Sequence, residues 1–380
     1  MTIDGKKVAY MKLESFHLER FQSTWEHVVK YNLAESGVQP ITLEELQGDG
    51  EKVDKLMQLP LGYIQTNGSS TLRRNITSLY QDADEGNVLV TSGSSEANLL
   101  AVWSLLEGGD EALVMLPNYM QIWGLVKMMG GNAIPLWLSE DDGWGLDLEE
   151  VNEKVSRKTK IIALCNPNNP TGAVLDQTAL RGVCEIAKDA GSWVLCDEVY
   201  RGAELEGYIT PSMWDGHDKV IVNSGLSKAY GLPGLRIGWI VAQKDMINRL
   251  WSYHDYTTIC ASATSDFIAN LALEEENRTR LISRTRKILT ENWPILERWY
   301  EDHSYVFSYE KPKAGAISFA KYKANVNSTV IAERLVKEKS VLVIPGDHFL
   351  MDGHMRIGYG SNARHLETSL ALVADLFEAL

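Results

Sequence analysis

The chain is poor in cysteine: among 380 residues there are four, Cys165, Cys184, Cys196 and Cys260, and none stands in CxxC spacing. In apolar surroundings they suit a reducing compartment as buried thiols, which argues against a disulfide framework and against a zinc site. No metal is expected. Long hydrophobic runs are missing too: no 18 consecutive apolar residues occur, while 44% hydrophobic and 23% charged residues describe a globular chain without a membrane partner.

Positive charge is the third shortage, with 37 Lys and Arg against 51 Asp and Glu, a net charge of −14. Such a surface disfavours phosphate backbones, so nucleic acid is excluded as a general partner, although a local cationic pocket is compatible with it. The opening residues MTIDGKKVAYMKLESFHLERF lack the apolar core and small-residue cleavage site of a secretory signal, and their acidic residues argue against a transit peptide. A cytoplasmic location is the expectation. No internal repeat or low-complexity tract is present.

What is there is an alternation of buried strands and helices. Between about residues 85 and 245 the runs NVLVTSG, EALVML, IIALCNP, WVLCDEV, KVIVNSG and GWIVAQ are nearly continuously apolar, as in strands covered on both faces. This predicts an α/β unit with a mostly parallel sheet in three layers. Beyond residue 265 one long helical stretch, SDFIANLALEEENRTRLISRTRKILTENWPILERWYEDH, precedes strands at AGAISFAKY, VLVIPG and HMRIGYG, a smaller α+β unit. A helical segment near residues 14 to 35 is expected to join that smaller unit, giving segments 1–45, 46–265 and 266–380.

Four segments place polar residues just past predicted buried strands, where open α/β sheets bind ligands. In NVLVTSGSSEANLL, Gly93, Ser94 and Ser95 lie between strand and helix, where backbone N–H groups and the helix dipole suit a phosphate; an ordinary serine cap is the plainer reading of that segment alone. NPNNPTG presents Asn169 in a turn of unusual spacing. WVLCDEVY delivers Asp197 at a strand end and Tyr200 three residues on, and so buried a carboxylate calls for a cationic partner. In NSGLSKAYGLPGLRIGWI, Lys228 follows Ser227 and precedes Arg236; desolvation and nearby positive charge are expected to lower its pKa.

Taken together, NPNNPTG, DEVY and SGLSK, in this order and over nearly the whole chain, resemble the pyridoxal-phosphate enzymes of the aspartate aminotransferase superfamily, fold type I, class I/II. The resemblance implies pyridoxal 5′-phosphate as cofactor, bound as a Schiff base to Lys228, which also moves the substrate Cα proton. It puts Asp197 on the ring nitrogen, and Asn169 and Tyr200 on the ring oxygen. Tyr119 would stack on the ring, and Gly93, Ser94, Ser95, Ser227 and Arg236 would hold the phosphate. Tyr63 would reach the phosphate of a neighbouring subunit, implying a homodimer. Arg356 in MDGHMRIGYG would hold the substrate α-carboxylate in a two-pronged salt bridge. The implied reaction passes the amine of a free amino acid to a 2-oxo acid.

The sequence departs from the family pattern in two places. YNLAESGVQPITLEELQG replaces the usual substrate-covering loop, keeping Gly37 and Pro40, with Gly37 retained as a substrate contact; Gly225 stands three residues before Lys228 where a Ser or Thr is common, leaving Ser224 or Ser227 to supply that phosphate contact. An altered lid can redirect the same chemistry, so an arginine or hydroxyarginine lyase, cyclase or oxidase resembling capreomycidine synthase is the alternative. Glu14, Glu19 and Glu35 could meet a cationic substrate, but a solvated helix face is the expectation for them. No second arginine announces a dicarboxylic substrate.

Overall fold

The structure is a computed structural model that describes residues 14–47 and 50–380, together with the short antiparallel pair Thr2–Ile3 and Lys6–Lys7. Most of the leader on which the cytoplasmic expectation rests lies outside the described residues. The central sheet has seven strands: β1 (Val88–Thr91), β2 (Glu111–Leu116), β3 (Asn132–Trp137), β4 (Thr159–Cys165), β5 (Trp193–Asp197), β6 (Val220–Gly225) and β7 (Gly238–Ala242). They are ordered β1-β7-β6-β5-β4-β2-β3, and only β7 runs antiparallel to its neighbours.

The continuous apolar runs follow from burial on both faces. Along β4, Ile161 and Ala163 enter one core with Leu100 and Ala101, while Ile162 and Leu164 enter the other with Leu180 and Val183. Successive side chains of a strand point to opposite faces, so both sets must be apolar. Helix α1 (His17–Trp25) belongs to the N-terminal segment; α2 (Ser94–Leu105) follows β1 on one face and α3 (Gln177–Ala190) precedes β5 on the other. Strand β3 was not among the predicted strands. It is an edge strand carrying Pro135 and only Leu136 is fully buried, so its pattern is weak and its proline is tolerated there.

The second sheet is antiparallel, with β8 (Phe307–Tyr309), β9 (Ile317–Tyr322), β10 (Ile344–Pro345) and β11 (His354–Gly358) in the order β8-β9-β11-β10. Two helical expectations need correction. The long stretch after residue 265 is two helices, Ala263–Leu273 and Glu275–Asp302, parted at Glu274, whose ψ of 138° is extended. The helix expected over 14–35 ends at Trp25, because Tyr31–Asn32 is drawn into parallel pairing with Val341–Leu342 and Leu33 N–H donates to Leu342 O at 2.8 Å. Tertiary hydrogen bonds thus override local helical pattern, and they carry residues 33–37 past β11 towards the strand ends of the central sheet.

Candidate active site

At the end of β1 the chain turns through Gly93, whose φ of +86° favours glycine, into α2. A Cβ at Gly93 would fall 2.5 Å from an Arg236 guanidinium nitrogen, and a Cβ at Gly238 would fall 2.4 Å from Gly93 C and Ser94 N. Both glycines therefore let three backbone and side-chain elements close into a cup. No side chain caps this helix end, so its dipole and first N–H groups face the cavity lined by Ser94, Ser95 and Arg236. Arg236 Nη1 donates to Pro233 O at 2.9 Å and reaches Ser227 Oγ at 3.5 Å. Ser227, not Ser224, lines the cavity; the Ser224 hydroxyl instead donates to Glu198 O at 3.3 Å. Gly225 is explained locally, since a Cβ would lie 2.9 Å from Ile237 O across the β6–β7 pair.

Behind the cup is a network absent from the sequence expectations. Glu96 accepts the Ser92 N–H at 2.6 Å and the Thr258 hydroxyl at 2.9 Å, also bonds the Thr257 hydroxyl, and lies 3.4 Å from His254 Nε2. Burial works against this carboxylate's charge, yet bonds from His254, Thr257 and Ser92 bring its pKa down to about 2. Only a long-range contact between α2 and residues 254–258 reveals the role, so no local signal announces it.

The opposite end of the cavity is carboxylate. Asp197, 6% exposed, accepts from Asn98 Nδ2 at 3.2 Å and from the Val199 N–H at 3.1 Å. Burial pushes its pKa up, the amide donors opposing only in part, which suits a carboxylate made to meet a cation. Asn98 is itself held by Gln121 and Asn223, a relay again unforeseen from sequence. Tyr200 is 2% exposed at the cavity wall beside Ser36, and its hydroxyl has no hydrogen bond of good geometry. Tyr119 also lines the cavity; its hydroxyl donates to Glu19 Oε1 of α1 at 2.7 Å, and burial followed by that carboxylate raises its pKa.

Between the two ends stands Lys228. Its Nζ donates to Glu35 Oε1 at 2.9 Å, and the same oxygen accepts the Gly37 N–H at 2.8 Å. Burial alone would lower the amine's pKa, but Glu35 and Tyr200 outweigh it and the net direction is up. This corrects the expectation of a lowered amine: the nearest strong charge is negative, not positive. Glu35 is conversely brought down to about 2, chiefly by Lys228. Arg356, 1% exposed on β11, donates from Nη1 to Asn169 Oδ1 at 2.9 Å and from Nη2 to Ala34 O at 2.6 Å, while its Nε is unpartnered.

Ser94, Ser95, Tyr119, Asn169, Asp197, Tyr200, Ser227, Lys228, Arg236 and Arg356 thus share one cavity of about 280 Å³. Gly93 packs against the Arg236 guanidinium, and Gly37 packs against Ser227 O and Lys228. Tyr63 is apart, 85% exposed on the surface. The solvated helix face expected for the three glutamates is not found: Glu14 is exposed but precedes α1 and pairs with Lys127, Glu19 is on α1 but faces the cavity, and Glu35 lies beyond α1, bound to Lys228. An anion cup, a central amine and a buried carboxylate in line fit a phosphorylated aromatic aldehyde with a basic ring nitrogen.

The comparisons with known proteins agree with that chemistry. The family aminotransferase class I and II matches residues 51–371. A PLP-dependent aminotransferase from Streptococcus suis is 34% identical and superposes with a TM-score of 0.92, covering 97% of this chain and 98% of that one. A probable aspartate aminotransferase from Methanocaldococcus jannaschii is 28% identical over 83% of this chain and 85% of its own length. Capreomycidine synthase from Streptomyces vinaceus is 28% identical over 91% and 89% respectively. The chain belongs to the class I and II aminotransferases, a pyridoxal-phosphate-dependent family of fold type I.

Proposed function

We propose that the protein passes the amino group of a free L-amino acid to a 2-oxo acid, with pyridoxal 5′-phosphate held in the cavity. The observation that carries this reading is the convergence of Lys228, Asp197 and the buried Tyr200 hydroxyl on a cavity whose far end is the start of α2 with Arg236. That set fits the cofactor: Gly93, Ser94, Ser95, Ser227 and Arg236 suit its phosphate, Asp197 its ring nitrogen, and Tyr200 and Asn169 its ring oxygen. When bound, the cofactor supplies an aldehyde that condenses with amines and a ring that accepts the electron pair left at the substrate Cα.

The chain's own residues supply the rest. Lys228 removes the proton at Cα and returns it elsewhere, within a site largely screened from water. Asp197 keeps the ring nitrogen protonated by its charge, and Tyr119 covers one ring face. Arg356 fixes the α-carboxylate with a guanidinium fork already oriented by Asn169 and Ala34 O. The exposed Tyr63 supports a homodimer in which it serves the neighbouring site, and four free cysteines support a reducing, cytoplasmic setting.

Similarity to capreomycidine synthase supports a second reading, a lyase, cyclase or oxidase acting on arginine or hydroxyarginine. An amino-acid panel followed by absorbance and product mass spectrometry, with and without 2-oxoglutarate or pyruvate, separates the two. Accumulation of the aminated cofactor with completion only on adding the acceptor is expected. Turnover that needs no acceptor would overturn transamination.

A further inference from the structure

The cavity that Arg356 lines also carries acidic side chains from the N-terminal segment. Leu18, Glu19 and Gln22 of α1 all line the cavity, Gln22 standing four residues beyond the first and three beyond the second. Glu19 is half-buried and bonds the Tyr119 hydroxyl, yet among the described residues no cation lies within ion-pair distance of it. Glu35 has one such cation, the Lys228 amine. The unpartnered Arg356 Nε, in a side chain more than nine-tenths buried in the same cavity, marks the place as built for a ligand rather than as a solvated surface.

The charge balance then selects the ligand. Cationic residues lining the cavity are Lys228, Arg236 and Arg356, already matched to an aldehyde, a phosphate and an α-carboxylate. A second substrate carboxylate has no cation left to meet and would confront Glu19. When the Lys228 nitrogen is committed to a carbonyl carbon, Glu35 loses its ion-pair partner, and the positive charge that still acts on both carboxylates is that of Arg356, which the substrate α-carboxylate neutralises. One substrate cation relieves both.

We propose, resting on the aminotransferase reading, that Glu19 and Glu35 form a side-chain subsite that selects L-amino acids with a cationic side chain, the class of arginine, lysine and ornithine. The preference is electrostatic, so neutral substrates of equal length enter but lack the ion pair, and dicarboxylic ones are repelled.

The test uses the holoenzyme and ligands that lack an amine, so no reaction intervenes. Calorimetric titration with 5-guanidinopentanoate, hexanoate and glutarate is expected to rank them in that order, the guanidino acid binding about 30-fold tighter than hexanoate or better. The ratio is expected to collapse towards one in Glu19→Gln combined with Glu35→Gln; because both ligands are compared on the same protein, general weakening divides out. Equal affinity of the first two ligands for the unaltered holoenzyme, or tightest binding of glutarate, overturns the subsite. The visible imine absorbance of the same sample reports separately on the cofactor: its absence removes the aminotransferase reading, and its presence with equal affinities removes only the subsite.

Discussion

Lys228 Nζ lies 2.9 Å from Glu35 Oε1, so the one amine in the cavity is held by a carboxylate from the loop that also carries the Arg356 contact at Ala34. This ion pair has a pH signature. The amine's folded pKa is raised, so its contribution to stability is full below the ordinary lysine pKa and fades as pH rises through the raised value. The Glu35 pKa is lowered from 4.5 to about 2, so its contribution is present above 4.5 and is lost as pH falls between those values.

Replacing Glu35 by Gln leaves burial as the dominant influence on Lys228, and burial lowers an amine's pKa. A larger neutral fraction attacks the aldehyde faster. Stopped-flow absorbance of cofactor binding to the stripped protein at pH 7.5 is expected to show imine formation at least about threefold faster in Glu35→Gln. An unchanged or slower rate would mean that the pair does not restrain the amine.

Borohydride reduction of the holoprotein is expected to fix the cofactor on Lys228 alone, read by peptide mass spectrometry. Lys228→Ala is expected to keep noncovalent cofactor binding through the α2 cup and Asp197, and to abolish Cα-proton exchange followed by deuterium incorporation. A reduced adduct on another lysine would remove the assignment.

Asp197 offers the opposite signs in stability and activity. Its carboxylate is buried with amide donors and a raised pKa, so in the stripped protein its cost to the fold grows as pH rises from the ordinary aspartate value to the raised one and is full above it. Asp197→Asn keeps shape and removes charge. The stripped variant is expected to melt at the same temperature as the parent or higher at pH 8, while kcat/KM of the holoenzyme falls by roughly 10²–10³-fold. A lower melting temperature would show the charge to be paired by the protein itself.

Six of the seven strands of the central sheet, and several of the residues that share the cavity, were legible because they obey local rules. Burial on both faces writes continuous apolar runs such as EALVML, and polar residues just past those runs are conspicuous, as Asp197 and Lys228 are. Strand β3 was hidden by its edge position and Pro135, and the overlong N-terminal helix by pairing of Tyr31–Asn32 to a partner over 300 residues away in sequence. Glu96, Asn98 and Glu35 carry no motif; each acts through a partner that only tertiary structure supplies, respectively Thr258, Asp197 and Lys228. Glu19 was visible as a charge, but which helix face meets the cavity depends on how α1 packs.

Gly238→Ala probes the cup without touching a ligand group. The new Cβ would meet Gly93 C and Ser94 N at 2.4 Å, both backbone atoms that cannot rotate away. Thermal unfolding is expected to show a loss of about 1–3 kcal/mol. Affinity for pyridoxal phosphate is expected to fall more than affinity for unphosphorylated pyridoxal, since the displaced element is the proposed phosphate end; equal losses would point to a general packing defect.

Arg356→Lys keeps the charge but removes the fork. The guanidinium is oriented by Asn169 and Ala34 O, and an ammonium cannot bond both of these and a carboxylate in one plane. The effect therefore belongs to substrate capture: KM for the amino acid is expected to rise by roughly 10- to 100-fold, with a smaller change in kcat and none in the visible absorbance of the cofactor. Because Asn169 is also proposed to meet the ring oxygen, the double variant with Asn169→Ala distinguishes the two routes. If Arg356 acts on the carboxylate directly, its KM effect persists in the Asn169→Ala background; if it acts by holding Asn169, the effect vanishes there.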